Sequence, residues 1–418
     1  MSDSADPSVA RTGVRSRHRN AVALSVHSAV TGFLAYVFFA LVTHTLGAVA
    51  AAPVSVLWTL WSFSSASLTF PIQHWITRSV TAYGGEGQVR AGLLRVLAVT
   101  SVAAAAAGGV AALLTEQLFH GADTFAVLVG LVCLGSVFVG LVRGSLTARG
   151  RFGALGWSLS LENAIRLVAA IALAAAGIRS PGYYGLAIVA GFLSGTLWPR
   201  SLLFSRGVQR TPTSSPVTFL VSVSSAQLLS QSVLVGAPVL LALLGGSPTE
   251  VTALFVTLAL CRAPYLLALG VMPAVTARLT RLFVSGAHAS IRRLEVGTTV
   301  ATVALAALGW LVAGWLGPGV VRLVFGSGTS LSGTLTGLVA AGTVLSMGNL
   351  VLTSVLMARD RPLLSVLAWL SAIVLGGLVA AIPGPSPLAR TVLVFVVSEA
   401  AAFGVLLVGT RLASRETA

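Results

Sequence analysis

The stretch Leu141-Val-Arg143-Gly-Ser-Leu-Thr-Ala-Arg149-Gly-Arg151-Phe152 joins two long apolar runs, 124–142 before it and 157–177 after it. Crossing the hydrocarbon core takes about 20 apolar residues, so three arginines between two such runs mark a short basic loop between membrane helices. The same punctuation recurs along the chain. Arg11, Arg15, Arg17 and Arg19 precede the first apolar run, and further clusters stand at Arg78/Arg90/Arg95, Arg200/Arg206/Arg210, Arg278/Arg281/Arg292/Arg293, Arg359/Arg361 and Arg411/Arg415. The alternate loops carry Glu116, Asp123, Glu250, a lone Arg179, a lone Arg322, or Pro383-Gly-Pro-Ser-Pro387 followed by Arg390. Short cytoplasmic loops accumulate arginine, so the alternation predicts two cytoplasmic termini and an even number of crossings.

Composition points the same way. Only 9% of the 418 residues are charged, and mean hydropathy is +0.94, too apolar for a soluble chain of this length. The formal charge of +15 comes entirely from arginine, with no lysine, and is spread over helix ends. It therefore sets topology and meets anionic membrane lipids, and a nucleic-acid partner is excluded. Cys133 and Cys261 lie inside apolar runs, so neither a disulfide framework nor a metal site is expected, and no cofactor.

The expected spans are 21–43, 48–71, 93–114, 124–142, 157–177, 183–204, 218–244, 250–272, 296–317, 332–357, 363–382 and 389–410. The chain then divides into a basic tail (1–20), a six-helix lobe (21–210), a second six-helix lobe (211–410) and a short tail (411–418). The halves resemble each other: Leu146-Thr-Ala-Arg149-Gly-Arg151 follows the fourth span and Leu356-Met-Ala-Arg359-Asp-Arg361 the tenth. Pro71 ends the second span and Pro273 the eighth, each with arginines beyond. With six spans per half, both copies keep one orientation, a parallel repeat about an axis along the membrane normal. The fold class predicted is thus all-α, polytopic, in two lobes.

The junction Leu141–Phe152, followed by Leu161-Glu162-Asn-Ala-Ile-Arg166-Leu, resembles the polysaccharide flippases of the multidrug/oligosaccharidyl-lipid/polysaccharide exporter superfamily. The stretches Leu260-Cys-Arg262-Ala-Pro264-Tyr-Leu-Leu and Val271-Met-Pro273-Ala-Val-Thr-Ala-Arg278 are similar to that family as well. The resemblance implies a V-shaped pair of lobes around a central cavity in a bacterial cytoplasmic membrane. It further implies that alternating access moves a polyprenyl-diphosphate-linked glycan outward, with envelope polysaccharide biosynthesis proteins as further partners.

Several residues suit such a cargo. Arg262 lies inside the eighth span, where an unpaired charge costs about 2.5–3.5 kcal/mol on insertion scales, so it faces either a cavity or a partner such as Glu399 or backbone carbonyls. Its planar fork would hold phosphate oxygens in pairs. The resemblance adds that an arginine in this helix, ahead of a proline, belongs to the central substrate site. Glu162 and Arg166, one turn apart, form a structural salt bridge or serve substrate binding or proton coupling. Arg78 and His74 stand at the basic mouth of the second helix, and Arg17 and Arg19 at the start of the first, where cargo entry competes with headgroup contact. His27 is an intramembrane histidine that either hydrogen-bonds a sugar or takes a proton, or is satisfied by a backbone carbonyl. Glu399 is the isolated carboxylate of the twelfth span, facing a coupling ion or Arg262. The seventh helix carries Ser222, Ser224, Ser225, Gln227, Ser230, Gln231 and Ser232, and Gln227 and Gln231 share one strip that suits a glycan or helix packing.

These readings predict a transporter and not an enzyme. A multidrug exporter of the same superfamily is the alternative, although such proteins usually need cavity carboxylates. A membrane glycosyltransferase would need acidic residues that the short outer loops scarcely supply, and a non-transporting scaffold for envelope assembly would keep the same fold.

Overall fold

The computed structural model describes residues 7–83, 86–205, 215–265, 288–359 and 361–415, with isolated positions between 268 and 285. Every regular element among them is helical. Nine helical runs among the described residues are long and apolar enough to cross a membrane. The first run, Val26–Val80, has 55 residues and would extend about 80 Å if straight, far more than a ~30 Å core. It is broken at Gly47, whose φ of 77° is a conformation only glycine adopts cheaply. Helix α1 (Pro7–Ser64) therefore supplies the first span and the start of the second, as the boundary between 43 and 48 anticipates.

The second span does not stop at Pro71 as expected. A π-helical turn, Ser65–Thr69, carries the chain into α2 (Phe70–Tyr83), so the helical run continues through Pro71 directly after the π turn. Trp75 is buried against Gly92. The N-terminal lobe continues through α3 (Gly87–Leu113), α4 (Thr115–Phe119), α5 (Thr124–Ala148), α6 (Phe152–Ala175) and α7 (Pro181–Ala190). The expected span 183–204 is only partly α-helical, because α7 passes into 3-10 turns at Gly191–Leu197 and Pro199–Leu202.

The C-terminal lobe comprises α8 (Pro216–Val235), α9 (Ala237–Leu243), α10 (Pro248–Cys261), α11 (His288–Phe325), α12 (Gly333–Ala358), α13 (Pro362–Ala380) and α14 (Pro387–Arg415). The seventh span breaks at Gly236 because Pro238 follows. Helix α10 opens on a capping box, so Glu250 is engaged by Ser247 and is no free acid. Pro273 and Arg278 lie outside the described residues. Helix α11 runs well past the expected 296–317 and takes Arg322 into the helix. Splitting Val26–Val80 and adding the shorter α7 and α10 segments brings the crossings to twelve.

Lipid is as apolar as a leucine side chain, so close packing and polar contacts, not water exclusion, hold the helices together. Accordingly α11 and α12 meet through glycines: a Cβ on Gly333 would lie 2.5 Å from Gly314 O, and one on Gly337 2.5 Å from Trp310 O. The lobes touch where the first span meets α10. Phe39 and Phe255 rings are 4.4 Å apart, Tyr36 donates to Ala259 O at 2.6 Å and Thr252 to Ala48 O at 2.6 Å.

The repeated arginine motif has a structural counterpart in each lobe. After α5 the chain turns by a Schellman motif, with Gly150 at φ 67° and Arg151 N–H donating to Leu146 O at 2.8 Å. After α12 the equivalent bond runs from Arg361 N–H to Leu356 O at 3.0 Å. Arg149 then reaches Glu86, at the start of α3, at 2.8 Å and the carbonyls of Arg200 (3.0 Å) and Leu203 (2.7 Å) at the end of the sixth span. Arg359 reaches Glu295, near the start of α11, at 2.6 Å and Thr410 O, near the end of the twelfth span, at 2.5 Å.

Candidate functional site

Helix α14 presents Thr391, Val394, Phe395 and Ser398 along one face, at the i, i+3, i+4, i+7 spacing of a helical stripe. These line a cavity of about 360 Å³ together with α8, α9, α13 and Phe63 of the N-terminal lobe. Its walls are mainly apolar: Phe63, Val233, Leu240, Ile373 and Phe395, with Ser398 among the polar exceptions.

Phe395 connects this cavity to the charged groups. The Arg262 guanidinium lies 6.0 Å from its ring centroid, and Glu399 is one turn further along α14. Arg262 is the residue that ends α10, its N–H closing the last turn on Leu258 O at 3.0 Å. Its Nε and Nη2 are buried and have no hydrogen-bond partner among the described residues. Glu399 is fully buried. The Asn349 amide donates to its Oε2 at 2.8 Å and to its main-chain O at 3.1 Å, which leaves Glu399 Oε1 and Asn349 Oδ1 unpartnered among the described residues. Ser346 stands beside the carboxylate while donating to Gly342 O at 3.0 Å. Arg262 and Glu399 share this neighbourhood yet form no ion pair. Burying unmatched donors and acceptors costs about 1–3 kcal/mol each, more when charged, so the cluster is polarised for a group that carries both an acceptor and a donor.

A second set of intramembrane charges, Arg143, Glu162 and Arg166, is matched internally. Glu162 accepts from Arg143 at 2.5 Å through Oε2 and from Arg166 through Oε1. Arg143 also donates to Ser158 Oγ (3.1 Å) and Ser158 O (3.0 Å), and Arg166 to Ile188 O (2.9 Å) and Asn163 Oδ1 (3.3 Å). The Arg166 guanidinium is stacked 4.2 Å from Trp61. Gly191 makes room for it, since a Cβ there would lie 2.5 Å from Arg166 Nε. Glu162 and Arg166 thus belong to a buried triad that ties α5, α6 and the α7 end together. Arg143, read from sequence only as a topology residue, is its third member.

The remaining predicted residues are dispersed. His27 Nδ1 lies 2.8 Å from Ser160 Oγ, and its ring meets the edge of Trp157 at 5.1 Å, so it faces α6 and bonds a hydroxyl. His74 and Arg78 are exposed on α2, with Arg78 stacked 5.1 Å over Phe219. Gln227 and Gln231 are half-buried on α8, while neighbouring serines are used in packing: Ser224 donates to Ser67 O at 2.5 Å, Ser230 to Gln227 O and Ser232 to Leu228 O. The side chains of Arg17, Arg19 and Ser222 lie outside the described residues. Among the described residues no group of three or more histidine, cysteine or acidic side chains is placed to hold a metal ion.

No family model and no curated protein matches the sequence. Solved structures do match in fold. An inward-facing multidrug resistance MATE family transporter of the MOP superfamily aligns with TM-score 0.64 at 14% identity, over 95% of this chain and 98% of that one. An outward-facing structure of a multidrug resistance MATE family transporter gives 0.59 at 14% identity, over 95% and 96%. A MOP superfamily transporter from Pyrococcus furiosus, whose binding pocket is described as of reverse polarity and suggestive of a different function, gives 0.61 at 15% identity, over 95% of each chain. The chain is therefore a multi-pass membrane protein with the two-lobe, twelve-helix fold of these transporters.

Proposed function

We propose that this protein is an alternating-access exporter of amphiphilic organic molecules across a cytoplasmic membrane. The observation that carries this reading is the apolar cavity of about 360 Å³ with Arg262 beside its Phe395 wall. Apolar walls with one or two convergent polar groups are the ordinary composition of a small-molecule site, and 300–1,000 Å³ is about the usual size. The fold occurs in proteins described in both inward- and outward-facing conformations, which supports motion of one lobe against the other. Arg262 Nε and Nη2 are buried without a partner among the described residues and would meet an oxyanion on a cargo that reached them, and Glu399 Oε1 would meet a proton or donor group.

The lipid-linked glycan reading is the second one, favoured by the two buried donors of Arg262 that have no partner among the described residues and by exposed Arg78 and His74 at the basic end. It receives less support because Arg166 and Glu162 are consumed in the triad, leaving no array of intramembrane cations for a diphosphate among the described residues. Proteoliposomes decide between them. A cationic rhodamine, a sulfonated naphthalene dye and a fluorescent polyprenyl-diphosphate disaccharide are presented in parallel. Protein-dependent movement of either dye, abolished by filling the cavity with Leu240→Trp, supports the exporter. Movement of the disaccharide lipid alone establishes the flippase.

A further inference from the structure

We infer that Arg149 and Arg359 are a symmetry-related pair of positioning residues, each locking three helices of its own lobe into one body so that transport motion is confined to the space between lobes. The two arginines stand 210 positions apart, and so do their partners Arg200 O and Thr410 O and the turn bonds from Arg151 to Leu146 and from Arg361 to Leu356. In each lobe the arginine follows the fourth helix, pairs with a glutamate near the start of the third, and caps a carbonyl near the end of the sixth.

A guanidinium can hold a carboxylate while donating to main-chain carbonyls, as Arg149 does to Arg200 O and Leu203 O and Arg359 to Thr410 O. One side chain thereby joins three chain segments that are distant in sequence. The contact occurs in both halves, whereas the Arg143–Glu162–Arg166 triad occurs only in the first, Thr353 and Ala372 standing at the positions of Arg143 and Glu162, so the clamp is the feature the two lobes share. Alternating access by rocking requires each lobe to move as a unit. Without the clamp, a lobe would dissipate the motion by splaying its own helix ends.

The test is spin-label distance measurement in the full-length protein, in a background with Cys133 and Cys261 replaced by alanine. Label pairs are placed at Leu94 and Gly153 within one lobe, at Val296 and Leu363 within the other, and at Gly153 and Leu363 across them. Arg149→Gln is expected to broaden the first pair and leave the second sharp, and Arg359→Gln to do the reverse. Both variants lose transport, and Arg→Lys, which keeps charge but not the fork, does not restore the sharp distances. Unchanged intralobe distances in both glutamine variants would overturn the inference, as would broadening of both lobes by either one. Because Arg359→Gln risks poor folding, Glu295→Gln and Glu86→Gln provide the same loss from the partner side, with the same expectation for each lobe. No substrate enters these distances, so a wrong cargo assignment leaves the test intact.

Discussion

Arg149 and Arg359 make equivalent contacts in the two halves of the chain, but in different surroundings. The Arg359–Glu295 pair has both side chains only 6% exposed, whereas Arg149 and Glu86 are 27% and 19% exposed. The repeat visible in sequence as two short arginine motifs is thus a repeat of tertiary contacts, and one copy is more deeply buried than the other.

That difference predicts unequal stability costs. Removing one partner of a buried ion pair costs up to about 3–5 kcal/mol when the other charge is left uncompensated, and less for Glu295, which Arg411 and Arg292 also face. A partly exposed pair is worth about 1 kcal/mol or less. Arg359→Gln should lower the thermal midpoint in detergent clearly more than Arg149→Gln. Equal shifts would contradict the burial argument.

Glu86 makes the N-terminal clamp sensitive to acid. The Arg149 guanidinium and the Ser205 N–H hold its carboxyl below the ordinary value of 4.5. A carboxyl depressed in the folded state contributes its stabilisation in full above the unfolded value and loses it as pH falls through the folded one. Protection against hydrogen exchange at 200–205, relative to the free-peptide rate at the same pH, should therefore hold from neutral pH down to about 4.5 and fall only below it. In Glu86→Gln the exchange is faster at neutral pH and loses this acid step.

Glu162 is predicted to matter for folding first. Glu162→Gln leaves Arg143 and Arg166 buried with no carboxylate between them, at a cost of about 3–5 kcal/mol. Size-exclusion profiles and thermal denaturation should deteriorate sharply. A stable, monodisperse Glu162→Gln protein that had lost only transport would instead assign Glu162 to coupling.

Much of this fold was legible because arginine alternation and span length are local signals. They placed the break at Gly47 and the turns after Ala148 and Ala358 within a few residues. Reading Pro71 as an end failed because a π turn ahead of it lets the helical run continue through it, a geometry that hydropathy does not encode. In the candidate site, Glu162 and Arg166 were findable as an i,i+4 pair, but Arg143 is 19 residues from Glu162 across a turn. Asn349 reaches Glu399 over 50 residues and Phe395 meets Arg262 across the lobe, contacts that only the packing of α10, α12 and α14 creates. The intramembrane asparagine was the one available signal, since such a group must find a partner.

The central claim, that Arg262 receives the anionic end of a cargo seated beside Phe395, is tested most directly by pairing cargo charge with Arg262→Gln in proteoliposomes. A sulfonated dye and its neutral, unsulfonated analogue are transported side by side by wild type and variant. Losing a charge-assisted contact of about 1.5–3 kcal/mol should slow the sulfonated dye by roughly 10- to 100-fold and leave the neutral analogue nearly unchanged. Equal effects on both dyes, or none on either, would contradict the account.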